Sequence, residues 1–196
     1  MSIPTELEIL IKKNNGISTA EAQQAGVNRA GLSKLVALGE LERTSRGNYV
    51  ITGAIDDEMF SLQKRAKKIV FSHETALFLH GLSDRTPFRH SITVPNSYKP
   101  SQHIKDICKI YYIKPELAGV GLITAKTSMG NKIMIYDIER TICDVVRSRN
   151  KMDTQIVIDA LKRYVLLKSA DMNKLHAYAM RFSVYKILQQ YMEVLL

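Results

Sequence analysis

The sequence contains few cysteines and no long apolar segment. Cys108 and Cys143 are its only two cysteines, and their spacing is not that of a zinc site, where ligands come in close pairs. Cys143 lies among Ile142, Val145 and Val146, so we expect buried thiols in a reducing compartment. No apolar run approaches the roughly 18 residues that a membrane helix needs. With no leader pattern either, we expect a cytoplasmic protein without membrane spans.

Catalytic and nucleotide-binding signatures are absent as well. The chain has neither a G-x-x-x-x-G-K-[ST] phosphate loop nor a G-x-S-x-G elbow, and Gly119-Val120-Gly121 lacks the third glycine of a dinucleotide fingerprint. His73 and His80 are two helical turns apart without a third ligand, so we favour a structural role over a metal site for both. The sequence therefore predicts no cofactor, no metal and no enzymatic activity.

Residues 18 to 51 show the pattern of a helix-turn-helix followed by a hairpin. Ser18 and Glu21 form an S-x-x-E capping box, which predicts a short helix beginning at Thr19. Gly26 supplies the turn, and Asn28 is placed to cap a second helix. In DNA-binding proteins of this type the second helix lies in the major groove.

The second helix has an apolar face and a polar face. Its larger apolar residues share one arc of a helical wheel: Leu32, Leu35, Val36 and Leu38. The opposite arc is polar or small: Arg29, Ala30, Ser33, Lys34 and Ala37. Gly39 ends the helix, and residues 41–51 are typical of a hairpin that turns at Ser45-Arg46-Gly47-Asn48. We expect the polar face to contact base edges and the hairpin to form a wing.

An earlier helix completes this unit. Thr5 and Glu8 suggest a second capping box, and Asn14-Asn15-Gly16 ends the helix. Three helices and a hairpin predict a winged helix-turn-helix DNA-binding domain over residues 1–60; a winged helix used only for protein contacts is the alternative. The residues expected to contact DNA here are Asn28, Arg29, Ser33, Lys34, Arg43, Ser45, Arg46 and Asn48.

The net charge of +9 is unevenly distributed. Residues 1–60 contain 6 Lys and Arg against 8 Asp and Glu, a net of −2, which leaves +11 for residues 61–196. We therefore expect much of the attraction to DNA phosphates to come from the second half of the chain. The alternative is that this charge is simply a basic surface that keeps the protein soluble. The further candidates for DNA contact are Lys64, Arg65, Lys67, Lys68, Arg89 and Lys99.

Residues 61–196 combine strand-like and helical segments. A helix capped by Ser72 ends at Gly81, and strand-like segments follow at 91–94, 107–113, 120–126 and 132–136. The last 60 residues have helical periodicity. The sequence therefore predicts an α+β fold, with an N-terminal winged helix-turn-helix domain and a mixed α/β domain, residues 61–196, in which helices pack a small sheet.

Charged residues near residue 140 allow two interpretations. Arg140 and Asp144 are one helical turn apart, as in an ion pair that holds a helix against a sheet. Glu139, Arg140 and Asp144 could instead form an acid–base cluster, which requires a carboxylate with a raised pKa and a substrate pocket. We favour the ion pair because it explains the same residues without a substrate.

Two segments of the second half carry a family resemblance: Ser72-His73-Glu74-Thr75-Ala76-Leu77-Phe78-Leu79-His80-Gly81-Leu82 and Ile138-Glu139-Arg140-Thr141-Ile142-Cys143-Asp144-Val145-Val146. With the preceding winged helix they resemble the AbiEi family of type IV antitoxins, over nearly the whole chain. The resemblance implies a repressor and antitoxin of a phage-resistance (abortive infection) system. Its winged helix would bind the promoter of its own operon, and its second domain would counter a nucleotidyltransferase toxin without a stable complex.

Other functions remain open at this point. A winged-helix regulator without a toxin partner shares the same segments, and a protein–protein adaptor is a third possibility. An enzyme that acts on nucleic acid would need paired carboxylates or a metal set, and the sequence offers no convincing one. No sustained heptad pattern occurs, so we expect a monomer that pairs on an inverted repeat in double-stranded operator DNA.

Overall fold

A computed structural model describes residues 3–14, 16–54 and 57–195, apart from the side chains of Ser45 and Leu195. The chain divides into two compact units. Unit 1 consists of residues 1–65 and 127–131, and unit 2 of residues 66–126 and 132–196. The boundary predicted at residue 60 falls inside a helix, Glu58–Arg65, and the whole of that helix belongs to unit 1.

Unit 1 alternates short helices with a small antiparallel sheet. Its elements in chain order are α1 (Thr5–Asn14), β1 (Ile17–Ser18), α2 (Thr19–Gln24), α3 (Arg29–Ala37), β2 (Leu41–Ser45), β3 (Asn48–Ile51) and α4 (Glu58–Arg65). The described strands pair in the order β1-β3-β2, with Ile17 opposite Tyr49 and Leu41 opposite Ile51. The three helices and the hairpin predicted from the sequence therefore occur at the expected residues.

The core of unit 1 is apolar and draws on all three early helices. Its buried members are Leu7, Ile11, Ile17, Ala22, Leu32, Leu35, Leu41 and Tyr49. Two sequence predictions were wrong in detail. Thr5 is the first helical residue of α1 rather than its cap, and Leu38 follows the end of α3 with its side chain 50% exposed. Leu38 is the C-cap of α3, one residue past the last helical residue and directly before the turn at Gly39.

Unit 2 is built on a mixed sheet. Its strands are β4 (Val70–Phe71), β5 (His90–Pro95), β6 (Cys108–Ile113), β7 (Leu122–Lys126) and β8 (Lys132–Tyr136), and the described strands pair in the order β6-β5-β4-β8-β7. Two of the pairings, β5 with β6 and β4 with β8, are parallel. The four strand-like segments expected from the sequence correspond to β5 to β8. The two-residue β4 was not predicted, because so short a strand has no readable alternation.

Helices cover this sheet and supply most of the unit's core. They are α5 (His73–Leu79), α6 (Gln102–Ile107), α7 (Pro115–Ala118), α8 (Ile138–Arg147), α9 (Thr154–Leu166), α10 (Met172–Arg181) and α11 (Tyr185–Leu195), with a 3₁₀ turn at Arg149–Lys151. The residues of α8 from Glu139 to Val146 are all buried. The predicted α+β fold, a small sheet packed by helices, is confirmed.

The ion pair predicted inside α8 is confirmed and is fully buried. Arg140 Nε lies 2.9 Å from Asp144 Oδ2, and both side chains are 0% exposed. The guanidinium also donates to the carbonyls of Leu117 and Val120. Gly121 lies against it at φ +73, and a Cβ there would come within 2.6 Å of the Arg140 Cβ. Glycine is therefore required at this position both by its conformation and by the close approach.

The remaining structural expectations concern the cysteines and the membrane. Cys108 and Cys143 are buried thiols as predicted and do not form a disulfide, and burial raises the pKa of the Cys143 thiol to about 12. Among residues 3–14, 16–54 and 57–195, no helix has both the length and the apolar character needed to cross a bilayer.

Candidate nucleic-acid interface

Helix α2 begins with the capping box expected from the sequence. The Ser18 hydroxyl accepts from the Glu21 amide at 3.2 Å, and the Glu21 carboxylate accepts from the Ser18 amide at 2.8 Å. Lys64 approaches the same carboxylate at 3.2 Å. Partial burial alone would raise the pKa of Glu21, but the hydrogen bonds from Ser18 and the charge of Lys64 outweigh it and lower the pKa. The Glu21 carboxylate at the start of α2 is therefore charged at neutral pH.

Helix α3 presents a polar face to solvent. Asn28 caps it by accepting from the Gly31 amide at 2.9 Å, so the helix starts at Arg29. Leu32 and Leu35 are buried on the inner face. The outer residues are all exposed: Arg29, Ala30, Ser33, Lys34 and Ala37. The structure therefore exposes the residues that the sequence assigned to a contact with base edges.

The hairpin between β2 and β3 is pinned at its turn. The Gly47 carbonyl accepts from the Thr19 amide at 2.8 Å and from the Thr19 hydroxyl at 3.2 Å, which ties the turn to the first residue of α2. Gly47 has φ +79, a conformation that glycine adopts without strain. Of the hairpin residues expected to contact DNA, Arg43 and Arg46 are exposed and Asn48 is half-buried. The side chain of Ser45, which was also expected to contact DNA, lies outside the described residues. The candidate wing therefore has a fixed position relative to α2.

The four basic candidates at residues 64–68 are divided between the end of α4 and the segment that follows it. Lys64 and Arg65 form the last turn of α4, where Lys64 pairs with Glu21 and Arg65 donates to Thr44 Oγ1 at 3.3 Å. Lys67 and Lys68 follow in unit 2 and are exposed. Two of the four candidates are thus already engaged within unit 1, and the other two present their charge to solvent.

Arg89 and Lys99 flank β5, as the sequence suggested. The Arg89 guanidinium donates to the carbonyls of Cys108, at 2.6 Å, and Lys105. These bonds satisfy carbonyls at the end of α6, which is a structural task for Arg89. Lys99 is exposed and is the stronger phosphate candidate of the two.

The two segments that carry the family resemblance lie against each other in unit 2. His80, which caps the end of α5, hydrogen-bonds the carbonyl of Tyr136, and Thr141 of α8 approaches the same carbonyl at 3.4 Å. His73 reaches Ser148, just beyond α8, at 3.0 Å. Both histidines are therefore bonded to protein groups. Across the described parts of the chain, no three His, Cys, Asp or Glu side chains gather as a metal site would require.

Sequence reasoning missed a second cluster of cations, in unit 2. Lys109 on β6, Arg147 at the end of α8 and Lys151 in the 3₁₀ turn that follows line one pocket together with Ser148. Lys109 is about forty positions away from the other two cations, so no local spacing connects it to them. Only the packing of β6 near the end of α8 brings them together.

Comparison with known proteins identifies a fold but no family. No family model matches the chain, and no curated protein matches it. The crystal structure of the Rv2827c protein from Mycobacterium tuberculosis has a similar fold, with a TM-score of 0.62 and 13% sequence identity. The similarity covers 98% of this chain and 81% of that chain. At this identity the similarity concerns the fold alone.

Proposed function

We propose that this protein is a cytoplasmic, DNA-binding autorepressor and the antitoxin of a type IV toxin–antitoxin pair. Unit 1 is a winged helix that places α3 in the major groove of an operator and the β2–β3 hairpin against the flanking backbone. Unit 2 counters a nucleotidyltransferase toxin without forming a stable complex with it. The protein is a monomer in solution, and two copies meet on an inverted repeat.

The observation that carries the DNA-binding part is the solvent-exposed face of α3. Arg29, Ser33 and Lys34 lie on a helix whose opposite face is buried and whose start is fixed by Asn28. Arginine donates in pairs to guanine, and serine and lysine contact bases or phosphates, so this face has the chemistry of groove recognition. Arg46 at the hairpin turn adds a cation where a wing would meet the backbone. The exposure and chemistry of these side chains favour a DNA reader over a winged helix that binds only protein.

The test of this part is a titration of the full-length protein against the DNA upstream of its own gene. Wild-type protein should shift a fragment that contains an inverted repeat, and the Arg29→Ala/Arg46→Ala double variant should bind at least about tenfold more weakly. Lys13→Ala, which alters an exposed lysine on α1, is the matched control. Equal affinity of the double variant and the wild type would remove the assignment.

The antitoxin part rests on the family resemblance of the two segments that pack together in unit 2. Its test is co-expression, from an unrelated promoter, with a nucleotidyltransferase encoded next to the gene of this protein, because the unrelated promoter removes transcriptional repression from the experiment. The wild type and the DNA-binding double variant should protect cells equally, and affinity purification should recover no stable complex. Failure of the folded wild type to protect would leave repression as the whole mechanism.

A further inference from the structure

A pocket of about 400 Å³ lies beside the edge strand β6 in unit 2. It plays no part in the proposed reading of DNA by unit 1. Its polar and aromatic lining comes from β6, from the last residue of α8 and from the segment that follows it: Lys109, Tyr111, Tyr112, Arg147, Ser148, Asn150 and Lys151. The volume falls within the range of small-molecule sites, and this lining combines cations, a hydroxyl, an amide and an exposed ring.

Two of the cations of this pocket, Arg147 and Lys109, are held by partners behind them. Arg147 lies 3.0 Å from Asp144, but the same buried carboxylate also pairs with Arg140, so two guanidiniums share one negative charge. Lys109 contacts Glu74 at 2.8 Å and donates to the Lys151 carbonyl. Lys151 adds an exposed ammonium. The pocket therefore has surplus positive charge on side chains that need little further ordering to meet an anion.

A buried histidine orients the hydroxyl in the pocket. His73 is 0% exposed, its ring stacks on Tyr111 with centroids 3.4 Å apart, and its Nε2 lies 3.0 Å from Ser148 Oγ. Burial, followed by the charges of Arg147, Lys109 and Arg140, holds the pKa of His73 well below its usual value. The ring is therefore neutral, chiefly because it is buried, and the nearby cations disfavour its charged form further.

We propose that this pocket binds a mononucleotide, with the phosphate held by Arg147, Ser148 and Lys151 and the base stacked against Tyr112. A guanidinium, an ammonium and a hydroxyl are the donors that phosphate oxygens accept best. Tyr112 is 51% exposed, which leaves a ring face for a base, and stacking on tyrosine is tolerant of base identity. Such a site would make unit 2 responsive to a free nucleotide independently of the operator.

Calorimetric titration of the full-length protein with AMP, GMP, CMP and UMP tests the proposal. At least one monophosphate should bind saturably, and its nucleoside should bind at least about tenfold more weakly, because it lacks the charged hydrogen-bonding group. Lys151→Ala and Ser148→Ala should each weaken nucleotide binding at least about tenfold. Tyr112→Leu should weaken nucleotide binding but leave binding of inorganic phosphate unchanged.

Two controls keep the outcome decisive. Lys168→Ala removes an exposed lysine of unit 2 outside the pocket and should leave the affinity unchanged. If Ser148→Ala unfolds because His73 loses its partner, Lys151→Ala alone carries the test, since that side chain is exposed. Absence of binding by all four monophosphates, or unchanged affinity in Lys151→Ala, would overturn the proposal. Pocket-dependent binding of a single-stranded RNA decamer without binding of any mononucleotide would also overturn it.

Discussion

Arg140 shows how a single residue can organise unit 2. Its guanidinium pairs with Asp144, donates to two backbone carbonyls and lies over the rings of Tyr136 and Phe182, at 4.1 and 3.9 Å from their centroids. The spacing of Arg140 and Asp144 predicted the pair. The carbonyl contacts with Leu117 and Val120 and the contact with the ring of Phe182 could not be predicted, because these residues are 20 or more positions away in the sequence.

Replacing Arg140 should destabilise the protein severely. Arg140→Met leaves Asp144 buried with only Arg147 as a partner, and breaking a buried pair costs about 3–5 kcal/mol. Chemical denaturation of the variant should show a loss of about 3 kcal/mol or more in the free energy of unfolding. Arg181→Met, at an exposed position on α10, should be close to neutral. A stability equal to wild type in Arg140→Met would contradict the structural role given to this residue.

His73 should make stability depend on pH. Its pKa is well below the ordinary value of about 6.5, so the unfolded state binds a proton that the folded state lacks once the pH falls below that value. The stabilising contribution is therefore present above about pH 6.5 and is lost below it, by up to about 1.4 kcal/mol per pH unit.

Denaturation at pH 7.5, 6.5 and 5.5 measures this loss. His73→Asn keeps a residue that tolerates the local φ of +47 and should flatten the pH profile, whereas His103→Asn, at an exposed position, should leave it unchanged. The assignment fails if the wild type and His73→Asn lose stability in parallel between pH 6.5 and 5.5.

At the scale of elements, the sequence predicted best where side chains act locally. The capping box at Ser18 and Glu21, the cap at Asn28 and the turn at Gly47 involve neighbours along the chain, so α2, α3 and the hairpin were found at their residues. The strands β1 and β4 were missed because two residues define no period. The helix α4 was not predicted, because its sequence is mostly polar and charged and Leu62 is its one buried residue.

The effect of Asn28 on stability should be separable from its effect on DNA binding. Asn28→Ala removes the acceptor for the Gly31 amide and should lower the free energy of unfolding by about 1 kcal/mol, whereas Asn28→Asp should retain most of the stability. The aspartate should nevertheless weaken operator binding, because it adds a negative charge next to Arg29 at the proposed DNA surface. Thermal denaturation and DNA titration of both variants would show this. Unaltered DNA affinity in Asn28→Asp would argue against a DNA contact at the start of α3.

At the scale of the whole molecule, charge and proposed DNA reading are located in different parts of the chain. The net charge of residues 1–60 is −2 and that of residues 61–196 is +11. If the protein binds DNA, most of the electrostatic attraction to phosphates must therefore come from residues outside α3. Sequence spacing alone does not distinguish among the basic residues. Only tertiary contacts distinguish them: Arg89 donates to two backbone carbonyls, whereas three lysines are exposed, Lys67, Lys68 and Lys99.

A salt titration should reveal which lysines meet phosphates. In the full chain, a Lys67→Ala/Lys68→Ala/Lys99→Ala variant should show a shallower dependence of log affinity on log salt, by about 0.9 for each lysine that neutralises a phosphate. The control is Lys162→Ala/Lys168→Ala/Lys186→Ala, which removes the same charge from exposed positions on or after α9 and on α11. Equal slopes for the two triple variants would mean that Lys67, Lys68 and Lys99 do not neutralise phosphates of the bound DNA.

The most direct test of the central claim is the ratio of operator affinity to non-specific DNA affinity, measured by fluorescence anisotropy at one salt concentration for the full-length protein. Arg29→Ala should reduce operator binding by about 10- to 100-fold while barely changing non-specific binding, because it removes a contact to a base. Arg46→Ala should weaken both by a similar factor, because it removes a contact to phosphate. If Arg29→Ala leaves the ratio unchanged, α3 does not read the operator, and the account of unit 1 as a DNA-reading winged helix is wrong.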